Sequence, residues 1–176
     1  MRNTAFFVTG LVLILLQNNL FRVVSFIHVP GLVPSFVLPL ILFMGVHEYS
    51  LARGASVAFV LGYATDLIGI APVGLYTFTY VATFLLARSV GVRLAAQTVL
   101  MQMTLALAFT LVHSIMILVV LAIFGRDAYV PRAIYTMAIP HALATAAIAP
   151  LVFRLAQRLH VATMNSARSE AYGGRA

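Results

Sequence analysis

Between Gln97 and Phe124 the chain runs without a single Asp, Glu, Lys or Arg. That stretch exceeds the roughly 20 apolar residues a helix needs to cross the hydrocarbon core of a bilayer. Five further apolar stretches accompany it: Thr4 to Val24, Leu32 to Val46, Ala55 to Ile70, Val73 to Ala87 and Ala133 to Ala156. Lipid offers no hydrogen bonds to a backbone, so each run must satisfy its own N–H and C=O groups as a helix. The runs are continuous rather than alternating, which argues against a barrel. The chain therefore reads as an all-α integral membrane protein, a six-transmembrane-helix bundle within residues 1–156.

Composition agrees with that reading. The chain is 62% hydrophobic and 9% charged, whereas a soluble domain is about half apolar and about a quarter charged. The net charge of +7 rests entirely on arginine, with no lysine present. In a soluble protein that excess would point to nucleic acid. Here the arginines flank apolar runs, which fits membrane topology and contact with lipid headgroups, and no nucleic-acid partner is expected. The absence of cysteine removes disulfides, thiolate metal sites and cysteine nucleophiles.

The first run is longer than the apolar core of a signal peptide and no small-x-small cleavage site follows it, so it is expected to be retained. Six spans put both termini on one side. With the N-terminus inside, Arg2, Arg53, Arg88, Arg93, Arg154, Arg158, Arg168 and Arg175 lie inside. Arg22, Arg126 and Arg132 then lie outside. The bias predicts that both termini are cytoplasmic. The polar segment 157–176 is expected to be a disordered tail, helical only near Arg158. Connections such as His47 to Gly54 and Gly125 to Arg132 leave almost no mass outside the bilayer.

Only four acids occur: Glu48, Asp66, Asp127 and Glu170. Asp127 and Glu170 read as solvated surface charges. Glu48 reads as an interfacial charge near Arg53, or as half of a partner-binding site with His47. Asp66 lies within the third run, where a carboxylate must face the bundle or water and find partners. Ala55, Ala58, Gly62, Asp66 and Gly69 recur at three- and four-residue spacing and share one helix face. Small residues so spaced let a second backbone approach. One role for Asp66 is to accept hydrogen bonds at the start of the fourth helix, around Tyr76 and Thr77. A role in binding a partner or ligand, or in proton chemistry, stays open beside it. On the capping reading, Asp66→Asn keeps the shape and much of the hydrogen bonding and is expected to lose little.

His113 and His141 lie deep in the fifth and sixth runs, at similar depth if these are antiparallel. They read as a hydrogen-bonded packing pair or as unrelated interior histidines. A metal pair is the sharper alternative, and it lacks a well-placed carboxylate. Gln17, Asn18 and Asn19 near the end of the first run suit helix–helix glue or an interface. Catalytic signatures are missing: no Gly-x-Ser-x-Gly, no His-Glu-x-x-His and no phosphate-binding glycine loop. No enzyme activity, cofactor or metal is expected.

Three stretches carry a resemblance to a known family: "LILLQNNL", "VPSFVLPLILFMGVHEYSLARGASVAFVLGYATDLIGIAPVGLYTF" and "FLLARSVGVRL". Together they resemble MreD, the rod shape-determining membrane proteins of bacteria, over about Leu11 to Arg93. The family pattern has a proline opening the second helix, matched by Pro34. It then has a glycine-rich third helix ending in aspartate, glycine, proline and glycine, matched by Gly62, Asp66, Gly69, Pro72 and Gly74. After Pro34 the chain has Ser35, which is not an acid, where an acidic or polar residue is often found.

The resemblance implies a non-enzymatic inner-membrane component of the cell-elongation complex. It implies an MreC-like bitopic partner and, through it, MreB, the RodA glycosyltransferase and a class B penicillin-binding protein. The resembled family is also similar to the six-helix substrate-binding subunits of energy-coupling-factor transporters. That likeness supplies the rival reading of a vitamin-capturing subunit, for which Asp66, the Gln17 cluster, His113 and His141 would have to line an outward cavity, although the outer loops are short and lack an obvious polar lid.

Overall fold

The computed structural model describes residues 2–24, 33–47, 50–69, 72–90, 98–124 and 132–173. Its six helices are α1 (Arg2–Val24), α2 (Val37–His47), α3 (Leu51–Ile68), α4 (Leu75–Ser89), α5 (Val99–Phe124) and α6 (Arg132–Gly173). No strand occurs among the described residues. Three segments are long and apolar enough to cross a membrane: Leu51–Ile68, Val99–Phe124 and Met137–Thr163. Thr4–Leu20 and Val37–His47 are apolar but shorter.

α2 is the axis of the bundle. Every residue from Val37 to Val46 is buried, and α2 touches each of the other five helices. That burial on all sides explains why its sequence, VLPLILFMGVH, shows no polar face. Phe43 anchors its lower half. The ring stacks on His47 at 4.2 Å, meets Phe153 edge-on at 5.8 Å and faces Phe6 at 6.2 Å. Around this axis the chain folds as two close hairpins, α3 with α4 and α5 with α6.

The second run differs from its expected form. The helix begins at Val37 rather than Leu32, and Val33 to Ser35 approach it without regular structure. Proline lacks an N–H and biases the residue before it away from helical backbone, so Pro34 stands in this approach rather than at the head of the helix. Ser35 Oγ accepts the Leu38 N–H at 3.3 Å and does the capping. Pro39 falls in the first turn, where its missing N–H leaves no ladder bond unmade. An 11-residue helix is about 16 Å long, roughly half the hydrocarbon thickness.

The sixth helix also differs. It continues to Gly173, where a disordered tail from residue 157 is the expectation. No proline follows Pro150, and Leu, Ala, Gln and Arg recur beyond it; these residues lose little in adopting helix. Pro140 and Pro150 are carried inside α6. Glu48 lies outside the described residues.

Candidate functional site

The α3–α4 turn is built around one carboxyl group. A helix begins with N–H groups that have no partner within the helix, and a capping side chain normally takes one of them. The N-cap of α4 is Gly74, which has no side chain to offer. Asp66, one helix away and 2% exposed, supplies the acceptors instead. Its Oδ2 accepts the Gly74 N–H at 2.9 Å and the Thr77 N–H at 3.0 Å. The Thr77 hydroxyl donates to the same oxygen at 2.6 Å. Oδ1 accepts the Tyr76 N–H at 2.8 Å. A carboxyl group with both oxygens so engaged meets the requirement that a polar group buried in a bundle be fully partnered.

Gly62 makes that reach possible. It sits one turn before Asp66 on the same face, against Tyr76 and Thr77. The completely buried Ala58 continues the small-residue face below it. Gly74 turns the chain at φ +101°, a left-handed conformation that favours glycine. Gly69 ends α3 in extended backbone, its N–H donating to the Thr65 carbonyl at 2.9 Å. Pro72 lies beyond it, exposed at the mouth of a cavity.

That cavity has a volume of about 540 Å³. It is bounded by the turn before α4, the second half of α5, the start of α6 and the approach to α2. Gln17, His113 and His141 line it together, so three residues far apart in sequence share one chamber. Asp66 is not among its lining residues, since the first turn of α4 absorbs it. Tyr76 and Tyr80 form one wall. The Tyr80 ring stacks on His113 at 5.2 Å, and its hydroxyl lies beside the Thr65 and Ser35 side chains.

Side chains from distant helices hold the non-helical approach to α2. The Phe36 N–H donates to Gln17 Oε1 at 3.1 Å, and the Ser35 N–H donates to Thr145 Oγ1 at 3.0 Å. His141 Nδ1 meets the Val33 carbonyl at 2.6 Å. Irregular backbone at membrane depth is tolerated where protein buries it and meets its hydrogen bonds, and these contacts do so.

The remaining candidates fall elsewhere. Asn18 is exposed, and Asn19 donates back to the Leu15 carbonyl of its own helix at 2.9 Å. Among the described residues no group of three His, Cys, Asp or Glu could hold a metal ion. Ser35, Tyr76, Tyr80, Thr83 and Thr145 matter to the site and carry no motif. Their signal in the sequence is only that hydroxyls recur in stretches otherwise suited to lipid.

A family model described as rod shape-determining protein MreD matches residues 1–159. No curated protein and no solved structure matches the chain.

Proposed function

The chain belongs to the MreD family of rod shape-determining proteins, and on that premise we propose that it is a non-catalytic component of the bacterial cell-elongation complex. It sits in the inner membrane with both termini cytoplasmic, as the arginine distribution favours. It binds an MreC-like bitopic protein through its helices, and through that protein helps direct lateral peptidoglycan synthesis by MreB, RodA and a class B penicillin-binding protein. The observation that carries this reading is the family match across residues 1–159.

The commitment of Asp66 supports it as well. The one acid described within the spans is spent on holding two helices together, so it serves shape rather than turnover. The cavity favours a second reading, that of a vitamin-capturing transporter subunit, because Gln17, His113 and His141 meet there.

A deletion strain separates the two. Expression of the chain restores rod shape, and the protein co-purifies with the MreC-like partner in mild detergent. Rescue of vitamin uptake without rescue of shape, and without that partner, overturns the elongation reading.

A further inference from the structure

The hydrogen bonds around the cavity fix what it can bind. The Val33 carbonyl can only accept, so the His141 Nδ1 that meets it at 2.6 Å carries the hydrogen. A similar deduction holds for His113, whose Nδ1 lies 3.3 Å from Thr83 Oγ1. The Thr83 hydroxyl gives its one hydrogen to the Thr79 carbonyl at 2.7 Å, so His113 Nδ1 is the donor to Thr83. Both rings are thereby held as the Nδ1–H tautomer when neutral. Each is left with an Nε2 lone pair and no described protein partner. His113 is 4% exposed, so its acceptor is withheld from bulk water.

The rest of the lining sharpens this. Gln17 has its oxygen engaged by Phe36 and keeps its amide hydrogens to donate. Ser114 gives its hydrogen to the Thr110 carbonyl at 2.9 Å and keeps acceptor lone pairs. Among the described residues no Asp, Glu or Arg lines the cavity, while Ile117, Leu121 and Met137 supply an apolar wall. The volume of about 540 Å³ lies in the range of small-molecule sites, roughly 300–1,000 Å³.

We propose that this cavity binds an uncharged molecule with hydroxyl or N–H donors at one end and an apolar body. The donors meet the free Nε2 atoms of His113 and His141, the Gln17 amide meets an acceptor, and the apolar part lies along Ile117, Leu121 and Met137. A charged ligand would find no counter-ion among the described lining residues. A divalent cation would find two imidazoles and, among the described residues, no carboxylate, and the chain has no thiolate. Such chemistry arrives either from the bilayer, as a neutral lipid, or from water, as a neutral heterocycle.

The chain contains no tryptophan, so indole fluorescence of a probe can be read without protein indole background. Tryptophol and 1-monooleoylglycerol are titrated separately into the full chain in detergent, the second followed by native mass spectrometry. Tryptamine and oleoyl phosphatidate serve as charged counterparts. At least one neutral probe binds saturably, and its charged counterpart binds about tenfold weaker or worse. Ala138→Phe fills the chamber and abolishes binding. His141→Phe weakens it about tenfold by removing one acceptor. A variant that fails to fold leaves the neutral-against-charged comparison in the unaltered chain as the test. Binding of tryptophol alone assigns an aqueous ligand, and binding of the glyceride alone assigns a lipid. No saturable binding of either, equal binding of charged and neutral probes, binding unchanged by a folded Ala138→Phe, or histidine-dependent binding of Zn²⁺ alone overturns the proposal.

Discussion

Gly62 and Thr77 bring α3 and α4 together at backbone contact: a Cβ built on Gly62 would stand 2.5 Å from the Thr77 Cα and 2.7 Å from the Tyr76 carbonyl oxygen. Neither atom can rotate away as a side chain can. Any residue larger than glycine must therefore push the first turn of α4 outward, away from the carboxyl group that caps it.

Gly62→Leu is expected to destabilise the hairpin by about 1–3 kcal/mol, the usual range for overpacking. Gly62→Ala acts in the same direction and less strongly. Membrane abundance and thermal unfolding in detergent measure the loss. Unchanged stability in Gly62→Leu would show that the helices separate without consequence.

Gly74→Ala tests conformation rather than space. Nothing lies within 4 Å of a Cβ placed there, while φ is +101°. Alanine fits and is still strained, by about 1–2 kcal/mol. Because Gly74 also donates its N–H to Asp66, the strain falls on the same turn. A thermal shift smaller than that of Gly62→Leu is the expected result.

The approach to α2 makes a separate prediction. Gln17→Leu leaves the Phe36 N–H without its acceptor, and Thr145→Val does the same to the Ser35 N–H. A buried donor left unmet costs about 1–3 kcal/mol. The two changes loosen one segment, so their double variant should lose less than the sum. Strict additivity in unfolding measurements would mean that the two contacts act independently.

Topology can be tested without disturbing the site. A periplasmic-active reporter fused at Arg126 should report outside, and a cytoplasmic-active reporter after Arg168 should report inside. A cytoplasmic signal from Arg126 contradicts the six-span arrangement with both termini inside.

The α3 face was legible in the sequence because its signal is local. Ala58, Gly62 and Asp66 recur at helical spacing, and a carboxylate among apolar residues demands partners. The start of α2 was not legible, because Pro34 is compatible both with a first helical turn and with an extended approach. What decides between them is the acceptor supplied to Ser35 by Thr145, 110 residues away. The chamber was only half visible. Spacing alone puts His113 and His141 at similar depth, and only the likeness to vitamin-capturing subunits joins Gln17 to them; that likeness also puts Asp66 in the chamber, from which the first turn of α4 removes it. Beyond Ala156 the polarity of the chain argues for a disordered tail, whereas the helix preference of its Leu, Ala, Gln and Arg residues accords with α6 running on to Gly173.

Asp66 carries the central claim, that this hairpin is held by a carboxyl group for the sake of a partner-facing shape. The bonding pattern revises the effect expected of Asp66→Asn. One amide oxygen can replace Oδ2, but the amide nitrogen then confronts the Tyr76 N–H that Oδ1 accepts at 2.8 Å. Asn should therefore lose about 1–2 kcal/mol, and Leu, which strands every donor, should lose more. The deciding measurement compares unfolding temperature, co-purification of the MreC-like partner and rod shape across wild type, Asp66→Asn and Asp66→Leu. The account predicts that the three readouts fall together, with Asn intermediate and Leu worst. Loss of rod shape in Asp66→Asn at normal stability and normal partner binding would contradict it and assign the carboxyl group a chemical task instead.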